Sequence, residues 1–117
     1  MDNTPAVPDV RFFTRDACSL CVTALGAVER ELARRLGPPR LAIAPFSCGP
    51  TSVVRRVEYR DGSVLQVIDV DREPDLKESH GFRVPVVEVL GGRTLELDFD
   101  PRAFAEALSQ AGEVPLP

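Results

Sequence analysis

Two cysteines three residues apart carry the clearest chemistry in this 117-residue chain: Cys18 and Cys21, in the run Thr14-Arg15-Asp16-Ala17-Cys18-Ser19-Leu20-Cys21. On a helical turn, side chains at that spacing stand close enough for their sulfurs to bond. A cysteine at the start of a helix meets free N–H groups and the positive end of the helix dipole, and both favour its thiolate. Arg15, three residues upstream, adds a positive charge. Cys18 is therefore the expected attacking sulfur. Cys21, one turn further in and partly shielded, is expected to stay protonated until it resolves a mixed disulfide.

The same spacing also suits half of a zinc site, or two buried structural thiols. Cys48 and His80 are the only other ligands of that kind, and they form no second paired spacing, so a closed tetrahedral site is poorly supported. Three cysteines are an odd count, better read as redox-active or metal-binding than as a disulfide scaffold. Cys48, between Pro45 and Gly49-Pro50, reads as an ordinary free thiol; a third redox partner folding back over Cys18 is the alternative. His80 precedes Gly81 and is explained by contacts with a helix C-terminus. Asp69, Asp71, Glu73 and Asp75 read as a solvated helix start.

The elements that must position the dithiol follow from periodicity. Val10 to Thr14 is rich in β-favouring residues and predicts a strand, ended by Arg15-Asp16. From Ser19 to Leu36 the pattern is helical: Val22, Leu25, Val28, Leu32 and Leu36 fall on one face, and Gly37-Pro38-Pro39 stops the helix. Leu65 to Val70 predicts a second strand, and Asp71 caps a short helix over Glu73–His80. Val84 to Leu90 predicts a third strand, turned by Gly91-Gly92 into an antiparallel fourth over Thr94–Leu97. Asp100-Pro101 opens a last helix to about Gln110, with Phe104 and Leu108 on its buried face.

This order predicts an α/β thioredoxin fold in one domain: a mixed four-stranded sheet flanked by helices. Residues 1–8 and 112–117 read as loose termini and 38–63 as an insert. Within it, Val53 to Tyr59 is strand-like and Asp61-Gly62 is a hairpin signal. An extra antiparallel edge strand beside Leu65–Val70 is therefore expected. Leu41 to Pro50 is read as an irregular loop packed by Leu41, Ile43 and Phe46.

An apolar share of 44% supports one two-layer core. The longest apolar stretch falls far short of the ~20 residues a membrane helix needs. Met1 to Pro8 shows no export signal, so a cytoplasmic protein is expected. The formal charge of −4 and a pI near 5.0 argue against nucleic acid as a partner.

A second feature is Arg83-Val84-Pro85-Val86, where a proline enters a central apolar strand. Such a proline either simply begins the strand in trans or takes a cis bond facing the dithiol. Arg15-x-x-Cys18-x-x-Cys21, the stretch Asp69-Val70-Asp71 through Gly81, and Val84-Pro85-Val86 together resemble the glutaredoxin-like branch of the thioredoxin superfamily over residues 10–36 and 64–111. The resemblance implies Cys18 as nucleophile, Cys21 as resolving thiol and Pro85 as a cis-proline. It places Arg15 in substrate binding and pairs the backbone of Val84 with a glutathione or peptide substrate. Ser19 and Leu20 stand between the cysteines, where those families usually carry a proline.

The expected function is a small thiol–disulfide oxidoreductase, monomeric, with no tightly bound cofactor. Its partners would be a disulfide-containing protein or a small thiol, with glutathione as a candidate reductant or substrate. A non-catalytic binding or adaptor domain of the same fold is the alternative. A metal or iron–sulfur carrier using Cys18 with an external thiol comes third.

Overall fold

The computed structural model describes residues 9–43, 52–80, 83–90, 93–96 and 100–112, with side chains for all of these except 42–43 and 111–112. The chain enters as strand β1 (Val10–Thr14), turns into helix α1 (Ser19–Leu36), and continues through β2 (Leu41–Ile43), β3 (Val53–Glu58) and β4 (Val64–Asp69). A single 3-10 turn (Val70–Arg72) leads to α2 (Pro74–His80), followed by β5 (Val86–Val89), β6 (Thr94–Glu96) and α3 (Pro101–Gly112).

The strands form one sheet in the order β2-β3-β4-β1-β5-β6. β1 lies parallel to β4, with Phe12 beside Val67, as a strand–helix–strand crossover requires. It lies antiparallel to β5, with Phe13 beside Val86. Alternation along β1 sends Val10 and Phe12 to one face and Arg11 and Phe13 to the other. Val10 and Phe12 are buried with Val28 and Leu32 of α1 and Phe104 and Leu108 of α3 in one apolar cluster. On the opposite face Phe13 stacks on His80 of α2, ring centroids 4.5 Å apart. A mixed sheet with a parallel β1–β4 pair, an antiparallel β5–β6 hairpin and helices on both faces is the thioredoxin fold.

The insert supplies more sheet than the sequence indicated. β3 pairs antiparallel with β4, as expected from Val53 to Tyr59, but β2 pairs outside it and takes the edge. Residues 41–43 were expected in an irregular loop. Three residues are too few to show a period, and it is their antiparallel pairing with the next strand, Leu41 opposite Glu58, that makes them a strand. Leu41 is 43% exposed rather than packed inward. Phe46 and Cys48 lie outside the described residues.

The buried stripe of α1 also differs. It runs through Cys21, Val28 and Leu32, with Ala24, Leu25 and Leu36 partly covered. Val22, expected on that face, is 74% exposed. Apolar type alone does not separate Cys21 from Val22; a stripe stepping 21, 25, 28, 32 keeps helical spacing, and the thiol is compact enough to pack under the sheet. Gly37 ends the helix as expected: its φ of 80° favours glycine, and its N–H bonds Ala33 O at 2.8 Å.

Past β4, Asp69 caps the 3-10 turn, its side chain accepting from the N–H of Asp71. Asp71, expected to cap the short helix itself, lies inside that turn, and the helix starts at Pro74. Asp100 caps α3 as expected, its Oδ1 accepting from Arg102 N at 2.8 Å.

Glu31 fastens α1 to α3. Its carboxylate takes Arg34 Nε at 3.1 Å and Arg35 Nε at 2.6 Å, and Arg35 reaches on to Ala105 O and Ser109 Oγ of α3. The hydrogen bond from Arg34 is the main cause holding the Glu31 carboxyl below its ordinary value of 4.5; Arg35 adds to it and desolvation opposes it. A carboxyl with a lowered folded-state pKa contributes stability above that ordinary value and loses it as pH falls through the folded value. Thermal unfolding of Glu31→Gln should therefore begin at a lower temperature than the parent at pH 7. The two curves should converge on acidification below about pH 4.5. A gap that persists unchanged at pH 3 would contradict the clasp.

Candidate functional site

The parallel β1–β4 pair and the antiparallel β1–β5 pair bring three chain segments to one end of the sheet. These are the loop after β1, the turn after β4 and the residues leading into β5. Ligand chemistry in open α/β sheets collects at such carboxyl ends of parallel strands. The dithiol sits here.

The loop Arg15–Ala17 reverses the chain from strand to helix, and Ala17 makes the bend at φ 57°, a conformation uncommon for a residue with a side chain. Cys18 is then the N-cap of α1, with extended backbone angles. Its Sγ accepts from Cys21 N at 3.1 Å, and its carbonyl accepts from Val22 N at 3.2 Å. A sulfur is thus held directly against a first-turn N–H, at the helix end where negative charge is favoured. No acidic residue occupies the first turn of α1 to oppose this.

Cys18 and Cys21 form a disulfide, with sulfurs 2.32 Å and Cα atoms 5.2 Å apart. The two sulfurs are not equivalent. Cys21 is 1% exposed and belongs to the apolar core, whereas Cys18 is half-buried and packs at its margin. Only Cys18 can be reached by a bulky partner. Leu20, 38% exposed, and the outward Val22 flank it with apolar surface.

The Val84–Pro85 bond is cis, which resolves the two readings that the sequence left open. Because Phe13 pairs with Val86, the residues just before Val86 lie at the sheet end from which the dithiol loop departs. The strand itself starts at Val86 rather than at Val84, since proline has no N–H to give to the ladder. Val84 is 8% exposed and lies in the same cluster as Cys21. Arg83, next to it, is tied to Ser79 O and to Glu96 of β6, 2.9 Å away.

Arg15 reaches across to the turn after β4. Its Nη2 lies 2.9 Å from Asp71 Oδ1 and its Nε 3.3 Å from Oδ2. Sequence reading placed Arg15 at the site but missed this partner. The Asp69-Val70-Asp71 pattern was the available signal, and it read as a solvated helix start. Asp69 instead caps the 3-10 turn and also pairs with Arg72 at 3.4 Å. His80 makes its ring contact with Phe13 and bonds Ser79 Oγ through Nδ1 at 2.6 Å.

Among the described residues no three of His, Cys, Asp or Glu gather as a metal site would require. Two grooves of about 280 and 410 Å³ on the α2 face of the sheet share Arg11, Gln66 and Glu88, and neither is lined by Cys18 or Cys21. Among the described residues no helix is long and apolar enough to cross a membrane.

No protein-family model matches the chain, and no curated protein matches it. A solved structure from X. campestris, the Northeast Structural Genomics target protein XcR50, is similar to it. The two share 24% identity with a TM-score of 0.51, over 84% of this chain and 96% of that one. At that identity the likeness is one of fold.

Proposed function

We propose that the chain is a glutaredoxin-like thiol–disulfide oxidoreductase of the thioredoxin superfamily, working through Cys18 and Cys21. The observation that carries this reading is the asymmetry of the pair: one sulfur at a helix N-terminus and within reach, the other buried one turn away and bonded to it. A purely structural disulfide has no need of that difference.

In the reduced protein the Cys18 thiolate attacks one sulfur of a substrate disulfide. The S–S bond of the substrate breaks, its first thiolate leaves and takes a proton from solvent, and a mixed disulfide to Cys18 remains. Cys21 then gives up its proton and attacks Cys18 Sγ, expelling the second substrate thiolate. The substrate gains two electrons and two protons; the protein dithiol becomes the disulfide. An external thiol reductant, glutathione or a dithiol protein, reverses that change on the enzyme.

No tightly bound cofactor takes part. The substrate is a disulfide-bearing protein or small thiol compound, its chain laid against the backbone of Val84, with Arg15 and Pro85 at the same contact. The enzyme acts as a monomer in the cytoplasm, away from membranes and nucleic acid.

Cys21→Ser should leave the first attack intact and stop the second. Incubated with a model disulfide, it should accumulate a covalent adduct at Cys18, seen by mass and released by dithiothreitol. Rapid turnover by Cys21→Ser, with no adduct, would mean that Cys21 is not the resolving thiol.

The replacement of the usual proline by Ser19-Leu20 favours a second reading, a binding module of the same fold that does not turn over. A module of that kind would give neither the adduct nor reduction of the model disulfide.

A further inference from the structure

We propose that the open half of the α2 face of the sheet carries a binding site for a small zwitterion, an α-amino acid with an apolar side chain: Arg11, with Arg56 and Gln66, takes its carboxylate and Glu88 its ammonium. The site is separate from the dithiol, and its occupancy does not depend on the function proposed above.

Strand register builds it. Arg56 of β3 stands beside Gln66 of β4, Gln66 beside Arg11 of β1, and Arg11 beside Glu88 of β5. Side chains paired in this way point to one face, so the four form a polar row across the four central strands. Neighbouring strands lie about 4.8 Å apart, and the row runs cation, amide, cation, anion at that step. The next row toward the dithiol end, Ile68, Phe13 and Val86, is at most 5% exposed, with His80 of α2 stacked on Phe13. In the polar row the side chains of Arg11 and Glu88 are 52% and 36% exposed. Cover from the described helices ends between the two rows.

The two grooves on this face meet at Arg11, Gln66 and Glu88. At about 280 and 410 Å³ they stand near the lower end of the roughly 300–1,000 Å³ of small-molecule sites. The larger continues toward α2 over Phe13, Val53, Ile68 and Leu76, an apolar lining for a side chain. Arg11 Nε lies 3.8 Å from Glu88 Oε1, beyond hydrogen-bond range. Among the described residues neither of these side chains has another partner, and nothing bonds the Gln66 amide. Arg56 makes one contact, from Nη2 to Glu58 Oε1 at 3.3 Å, and keeps further donors.

A carboxylate laid on Arg11 and Gln66 meets charged and neutral donors together. An ammonium on the adjoining carbon then lies within reach of Glu88, because the two protein charges are themselves so close. The signs decide the class of ligand. A simple anion would face Glu88 and a simple cation would face Arg11, whereas a zwitterion satisfies both. Water reaches the row and screens it, so binding in the millimolar range is expected.

The test is a titration of the isotope-labelled full-length chain with leucine, methionine and phenylalanine in turn, followed by amide chemical shifts. At least one should give saturating shifts at millimolar concentration, centred on residues 11, 66 and 88. The amide of that amino acid, which lacks the carboxylate, and its N-acetyl derivative, which lacks the ammonium, should each bind about tenfold more weakly. Arg11→Gln and Glu88→Gln should each weaken the amino acid itself by a similar factor. Because the two analogues act on the unaltered chain, they decide the matter even where a variant folds poorly. Silence toward all three amino acids would overturn the proposal, as would shifts centred on residues 15–21. Equal binding of the N-acetyl derivative would also overturn it, making the row a site for simple anions.

Discussion

Cys18→Ser should reduce a model disulfide no faster than the uncatalysed rate. A serine hydroxyl does not ionise at neutral pH, and the thiolate is the attacking species in every exchange step. The position makes the loss specific. Cys18 caps α1, and serine is itself a good N-cap, so the helix start keeps an acceptor for Cys21 N. Folding should therefore survive where chemistry does not, and an unchanged far-ultraviolet circular dichroism spectrum belongs beside the rate. Full activity in Cys18→Ser would mean that the reaction runs through another thiol, Cys48 first among them.

The second large effect is on stability. Phe12 is fully buried at the centre of β1, flanked by Val67 of β4 and Val87 of β5, and shares its cluster with residues of α1 and α3. Phe12→Ala removes a ring from the cluster that it shares with α1 and α3. Buried phenylalanine truncations cost about 3–5 kcal/mol, lost transfer energy and cavity together. Against a total of roughly 5–15 kcal/mol for a domain, that is a large fraction. The urea midpoint should fall accordingly while the slope of the transition stays the same. A loss below about 1 kcal/mol would show that the site collapses to fill the cavity, and that the core is not organised around β1.

The dithiol was legible because its determinants are local. Strand, reversal, cysteine at the helix start and a second cysteine one turn on all fall between Val10 and Cys21. Gly37 and Asp100 marked helix ends for the same reason, each acting on its own few residues. The extra strand β3 was legible from the β-branched run and the Asp61-Gly62 turn after it, where Gly62 takes a φ of 92°.

What the sequence hid is what depends on partners outside the element itself. β2 owes its existence to pairing with β3, and three residues show no period by themselves. Arg15 and Asp71 meet only because β1 and β4 run parallel. The choice between cis and trans at Pro85 was evenly balanced in the sequence, since a proline at a strand start satisfies either. Val22 and Cys21 are adjacent and both apolar, and the packing of α1 against the sheet decided which one turned inward.

The most direct measurement is the redox equilibrium of Cys18 and Cys21 by thiol trapping, across a series of glutathione or dithiothreitol buffers, with Cys48 followed separately. A reversible intramolecular disulfide with a midpoint of roughly −200 to −270 mV, the range of glutaredoxins and thioredoxins, is the predicted result. A pair that stays oxidised or stays reduced across the whole series would contradict the account and leave this fold serving as a binding module.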